Sequence, residues 1–256
     1  AYTIGDNTHK DMSRHPWRLD DEALMYPAYE KFVKAGIKNV CIHKGLFALA
    51  VEKQFPNLLE YADVRDVGKA AKDWPQLNFI IYHSGYRHVG GSPAEGMAEW
   101  DRSGRISWVS ELAEIPDKYG VTNVYGDLGQ LFAWSTVAEP RLAAALMGTL
   151  IKGLGAEHVI WGTDAVWTGS PQWQIEGLRR LEIPEDMQKR HGFAPLGPAD
   201  GSVKNAIFGE NVARLYDYER HAELGTQDRF AAIKAAYQDA GPGRSNLRYG
   251  YVAGPA

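Results

Sequence analysis

Three residues at the ends of apolar runs carry the chemistry open to this chain. Asn39-Val40-Cys41-Ile42-His43 and Asn78-Phe79-Ile80-Ile81-Tyr82-His83 each close on a histidine, and Val159-Ile160-Trp161-Gly162-Thr163-Asp164 closes on an aspartate. A fourth run, Thr122-Asn123-Val124-Tyr125-Gly126-Asp127, has the same form. Imidazole and carboxylate are good ligands for zinc and similar divalent ions. A water on such an ion loses its proton near neutral pH, and a nearby carboxylate can take that proton and deliver it to a leaving group. Alone, a histidine or aspartate at a strand end is more often a cap or a hydrogen-bonded loop residue. Three in one register would converge, because parallel strands in such folds aim their C-terminal ends at one crevice.

The elements that must position these residues are legible in the same runs. Each run is short, rich in β-branched or aromatic residues, and nearly continuous in apolar character, as suits a strand covered on both faces. Strands are expected over residues 37–42, 77–82, 121–125 and 158–163. Their ends lie roughly 40 residues apart, a comfortable length for a strand, a crossover helix and loops. Asp20 and Asp21 are placed to open the first helix and Gly36 to close it. Further helical patterns cover 63–74, 106–119, 141–154, 171–182, 185–191, 202–217 and 227–239, with Pro116 set to distort the last turn of the second of these. The long loop 83–91 is rich in glycine. Residues 1–19, with His9 and His15, read as an N-terminal loop, and 241–256 as an extended arm. The alternation is α/β with a parallel sheet and the layout of a (β/α) barrel. A closed barrel needs about twice as many strands as the four found, so either half a barrel or a small open sheet is expected.

With 256 residues, 45% of them hydrophobic, the chain can bury a sizeable core, and one domain is the leading expectation. A formal charge of -4 gives no reason to propose nucleic acid or an anionic membrane as partner. No apolar run is long enough to span a bilayer, and the N-terminus does not read as a signal peptide. The single cysteine, Cys41, excludes an internal disulfide and is expected to be a small buried side chain. It leaves the compartment open, with the cytoplasm slightly favoured.

Ile42-His43-Lys44-Gly45, Tyr82-His83-Ser84-Gly85, Ile160-Trp161-Gly162-Thr163-Asp164 and the closing phrase Ile207-Phe208-Gly209-Glu210-Asn211-Val212-Ala213-Arg214-Leu215-Tyr216 together resemble the amidohydrolase superfamily, in its amidohydrolase-related branch. The resemblance covers roughly residues 20–218, and the closing phrase is its most specific part. It implies a (β/α)8 TIM-barrel type fold in which this chain supplies roughly strands 5–8 with their helices, followed by a terminal helix and tail over 219–256. It implies a divalent metal, zinc first, held by His43, His83 and Asp164. His83 polarises the substrate or binds the metal, and Asp164 moves the proton. Asn211 and Arg214 read as structural. The family's first strand carries a His-x-His pair, and none exists here; His9 and His15 do not substitute for it. If the resemblance holds, a companion N-terminal segment or a second copy is expected to complete the barrel.

The loops after the strand ends hold many aromatic residues: Phe47, Tyr86, Phe132, Trp134, Trp167 and Trp173. Such walls suit a small, flat substrate, although rings of this kind also pack loops onto a barrel. Tyr86 and Trp167 are the candidate aromatic contacts. Arg87, with His88 beside it, is the candidate for holding a substrate carboxylate. Three classes follow: metal-dependent hydrolysis of an amide, ester or lactone, preferred; non-oxidative decarboxylation on the same site; and a non-catalytic half-barrel that acts as a partner.

Overall fold

A computed structural model of the chain describes residues 16–47, 49–87, 93–219 and 231–239. His9, His15, residues 88–91 of the glycine-rich loop with His88, most of the expected N-terminal loop and the arm at 241–256 lie outside the described residues. Four parallel strands stand side by side in chain order: β1 (Asn39–His43), β2 (Asn78–Tyr82), β3 (Val124–Asp127) and β4 (Val159–Ile160). In register, His43 pairs with Tyr82, Ile81 with Gly126 and Asp127 with Ile160. All C-terminal ends therefore share one edge.

Alternation divides the sheet into two faces. Val40, Ile42, Phe79, Ile81, Val124 and Val159 point to the main core, where they meet the helix Pro140–Leu154 and the short helices Val67–Asp73 and Val109–Ala113. Pro140–Leu154 is the longest described helix; Leu142, Leu146 and Leu150 are buried along it, and Pro140 occupies its first turn, where no backbone donor is lost. The opposite face carries Cys41, Ile80, Tyr82, Tyr125 and Ile160, covered in part by Val212 and Leu215 of the helix Asn211–Leu215. Asn211 is buried there and donates to the carbonyls of Ala156 (2.8 Å) and Val159 (2.8 Å), tying the closing phrase to the start of β4. Arg214 donates to Glu157 O at 2.9 Å. Both residues are structural, as read.

Several boundaries differ from expectation. Asp20 and Asp21 do not open the first helix, which runs Tyr26–Lys34; the Asp21 carboxylate instead accepts from the amides of Ala23 and Leu24 in a preceding turn, and Pro27 sets the true start. The expected helix 63–74 is shortened to Val67–Asp73 because the Asp63 side chain binds the Arg65 amide in a turn. The pattern 106–119 is two helices, Val109–Ala113 and Ile115–Tyr119, with Pro116 in the first turn of the second. The strand expected over 158–163 is only two residues long, since Trp161 leaves β3 and donates to Ile207 O. The pattern 202–217 is interrupted by a wider turn, Ala206–Glu210, of π type. The helices Leu49–Gln54, Pro93–Ser103 and Leu131–Ala138 were not anticipated. Cys41 is half-buried rather than buried, with its Sγ 3.6 Å from the Tyr216 hydroxyl. Among the described residues no helix is long and apolar enough to cross a membrane.

Candidate active site at the strand ends

His43 ends β1 on the face opposite the main core. Its registered neighbour is Tyr82, so a continued strand would turn His83 toward the helices. The chain does not continue as a strand. His83 has φ 57° and Ser84 φ 47°, and this left-handed turn brings the His83 ring beside His43, with centroids 4.5 Å apart at 69°. A positive φ recurs at Leu46 after β1, Gln130 after β3 and Asp164 after β4. Each non-glycine residue held there costs on the order of 1 kcal/mol, and such strain clusters at working sites. Five of the seven described non-glycine residues with positive φ lie at this one edge.

His83 is buried, and its Nδ1 lies 2.8 Å from Gly129 O. A carbonyl only accepts, so Nδ1 donates to it, and in the neutral ring Nε2 is then the nitrogen with the lone pair. Burial pushes the His43 imidazole down to about 3, with the nearby His83 ring adding to the effect, so at neutral pH His43 is an uncharged donor of electrons. Asp164 is half-buried after β4; its Cβ lies close to the Cα of Gly129, where a side chain would meet it at 3.8 Å. Asp127 ends β3 with its carboxylate packed against Gly162, and its Oδ1 accepts from Gly129 N at 2.9 Å. Burial raises the Asp127 carboxyl; the Gly129 amide, His83 and the His83 backbone amide oppose that rise, and Asp164 adds to it. Residue-type reasoning found the strand end at Asp127 but assigned it no role.

Two imidazoles side by side are the right donors for a divalent ion in kind. They are not a full set: among the described residues no three His, Cys, Asp or Glu side chains converge closely enough to hold an ion. The structure therefore brings His43 and His83 together, and places Asp164 at the same edge beside Asp127.

The substrate candidates are more dispersed. Arg87 pairs with Glu52 and lies over the Trp108 ring, 5.1 Å from its centroid. Tyr86 is buried in the main core, and its backbone carbonyl accepts from Leu46 N at 2.8 Å. Trp167 is exposed in the short turn Ala165–Thr168. Phe47 and Phe132 are buried, so the packing explanation accounts for both. The loops after β1 and β2 are bound to one another at Gly45, where φ is +82° and an added Cβ would fall 2.5 Å from the Gly85 carbonyl carbon. Lys44 was not singled out from sequence. Its ammonium is fully buried, donating to Asp66 (2.7 Å) and to Tyr61 O (2.7 Å).

The parallel sheet with helices packed on it defines an α/β protein, with two histidines together at one edge. The amidohydrolase family profile matches residues 9–218, and the chain belongs to that family. No curated protein sequence matches it significantly. Among solved structures it is similar to 5-carboxyvanillate decarboxylase from Sphingomonas paucimobilis, with 17% identity, TM-score 0.40, and 78% of this chain aligned to 55% of that one. It is similar to a dihydroxybenzoic acid decarboxylase from Polaromonas with bound manganese and 2-nitroresorcinol, with 14% identity, TM-score 0.44 and coverage of 83% and 59%. It is also similar to an amidohydrolase from Burkholderia multivorans with bound zinc, with 16% identity, TM-score 0.42 and coverage of 78% and 63%. The chain thus spans between 55% and 63% of the length of these structures.

Proposed function

We propose that this chain supplies the C-terminal half, roughly strands 5–8, of a metal-dependent (β/α)8 barrel that cleaves a bond to a carbonyl or carboxylate carbon of a small substrate. Hydrolysis of an amide, ester or lactone is the first reading, and non-oxidative decarboxylation by the same residues is the second. The observation that carries the proposal is the His43–His83 pair: two imidazoles from adjacent parallel strands, 4.5 Å apart, with His83 Nδ1 already committed to Gly129 O. A divalent ion, zinc first, would supply an activated water and polarisation of the substrate oxygen. His43 and His83, the latter through Nε2, would hold it. Asp164 holds the proton taken from the nucleophile and returns it to the leaving group. Arg87, steadied by Glu52 and Trp108, offers its guanidinium to a substrate carboxylate in exchange for Glu52, and exposed Trp167 supplies an aromatic wall. Tyr86, buried, backs the loop that carries Arg87.

β1 and β4 have no strand partner on their outer sides among the described residues, and open edges call for cover. A companion N-terminal half, or a second copy of the chain, fits those edges and would bring the remaining ligands. The test is product analysis with carboxylated aromatic esters, lactones and acids, using the chain together with its companion half. A new carboxylic acid establishes hydrolysis and released carbon dioxide establishes decarboxylation. No turnover with the barrel complete and metal present would leave a non-catalytic partner as the function.

A further inference from the structure

We propose that Asp127 is a positioning residue of this site: its half-buried carboxylate fixes the turn 127–131 so that the Gly129 carbonyl sets the tautomer and direction of the His83 ring. The inference rests on the proposed role of His83.

The chain of contacts is short. Asp127 Oδ1 accepts from Gly129 N (2.9 Å), and Gly129 O accepts from both His83 Nδ1 (2.8 Å) and Leu131 N (2.6 Å). Both backbone groups of Gly129 are thereby held, one by the carboxylate and one by the histidine. The turn stores strain as well, with Gln130 at φ 57°. An aspartate that merely binds the amide two residues on is an ordinary loop cap and normally stays in water. This one is half-buried, and its partial loss of water opposes the charged form while the Gly129 amide supports it.

The surroundings keep room for it. An added Cβ on Gly162 would lie 2.2 Å from Asp127 Oδ2, and one on Gly129 would lie 2.8 Å from Oδ1. One on Gly126 would lie 2.8 Å from the Ser84 hydroxyl, which donates to Asp127 O at 2.8 Å. Three glycines from the ends of β3 and β4 thus leave the space in which this carboxylate and hydroxyl sit. Asp127 Oδ1 is engaged by a backbone amide and Oδ2 is packed on a glycine Cα, so the group acts through His83 and not on substrate.

The experiment is nitrogen NMR of the His83 ring in the full chain without metal, at a pH well above the ordinary imidazole value of about 6.5, followed by zinc titration read on the same resonances. Wild type is expected to show a neutral ring protonated at Nδ1. Asp127→Ala should give a mixture of tautomers and weaken zinc binding about 10- to 100-fold, the scale of losses on removing outer-shell partners. Asp127→Asn, which keeps an oxygen for the Gly129 amide, should restore the wild-type tautomer. Gly162→Ala, which pushes on the carboxylate from its other side, should reproduce the alanine effect even if Asp127→Ala does not fold. A wild-type ring protonated at Nε2, or an unchanged Nδ1 tautomer in folded Asp127→Ala or Gly162→Ala, would overturn the inference. Wild type that binds no zinc but shows the expected tautomers would overturn the proposed function and leave the role of Asp127 standing.

Discussion

His43 is followed by a lysine that never reaches water. Lys44 donates to Asp66, whose Oδ2 also accepts from Leu19 N at 2.8 Å, while Asp66 Oδ1 is buried without a hydrogen-bond partner. Burial pulls the Lys44 ammonium down and the Asp66 carboxyl up, each opposed by the other's charge. Lys44→Met leaves a lone buried carboxylate and should destabilise the chain by about 3–5 kcal/mol in urea unfolding, whereas Lys44→Met with Asp66→Leu should recover much of that loss. A single variant within about 1 kcal/mol of wild type would show that the pair is solvated after all. At this scale the sequence was partly legible. His43, His83 and Asp164 stood out because each ends an apolar run. Lys44 did not, because a lysine in a loop reads as solvated and its acid lies 22 residues away. Asp127 had the right position, but the backbone carbonyl through which it reaches His83 leaves no mark in residue types. Tyr86 and Phe132 carry aromatic character that serves packing as readily as binding, and only burial tells the two apart.

Among the elements, the loops after β1 and β2 are the critical pair, because they hold the two histidines. Gly45 and Gly120 both have positive φ, +82° and +65°, but only Gly45 is crowded; an added Cβ at Gly120 meets nothing within 4 Å. Gly120→Ala should therefore cost about 1 kcal/mol, the conformational penalty alone. Gly45→Ala should cost clearly more and should also separate the His43 and His83 rings, seen as a loss of ring-current shifts between them. Equal costs for the two variants, with the rings undisturbed, would show that the loops are not locked at Gly45. The four strands and the long helix Pro140–Leu154 could be read from apolar pattern, since burial on both faces leaves a continuous run. Boundaries at Asp21 and Asp63 could not. Both carboxylates cap amides, but in isolated turns, and the local signal of a capped turn is the same as that of a helix start. β4 ends early for a tertiary reason, the Trp161 bond to Ile207 O, which no local pattern encodes.

For the whole molecule, the helix Glu185–His191 closes one side of the main core through its last residue. The His191 ring lies 4.5 Å from Trp100 and 5.5 Å from Phe193 by centroids. Burial holds its imidazole below the ordinary value of 6.5, and Arg190 and Lys152 add to that, against Asp186. The unfolded chain therefore takes up this proton at a higher pH than the folded one. Stability tied to the neutral ring is present above about pH 6.5 and is lost as the pH falls further. His191→Gln should show a shallower fall of the urea midpoint below pH 6.5 than wild type; parallel curves would remove His191 as a source of the acid sensitivity. The family and the parallel α/β sheet followed from strand-end residues and the closing phrase, and the match over residues 9–218 agrees. How the sheet edges are covered was not legible, because edge cover belongs to contacts with other segments.

The central claim is that His43 and His83 act together as metal donors. Calorimetric titration of zinc into the chain assembled with its companion half, with His43→Gln and His83→Gln measured alongside, tests it most directly. Saturable binding by wild type that is lost in each variant, with both still folded by circular dichroism, is the predicted result. Wild type that takes up no zinc, or variants that bind it as well as wild type does, would contradict the claim.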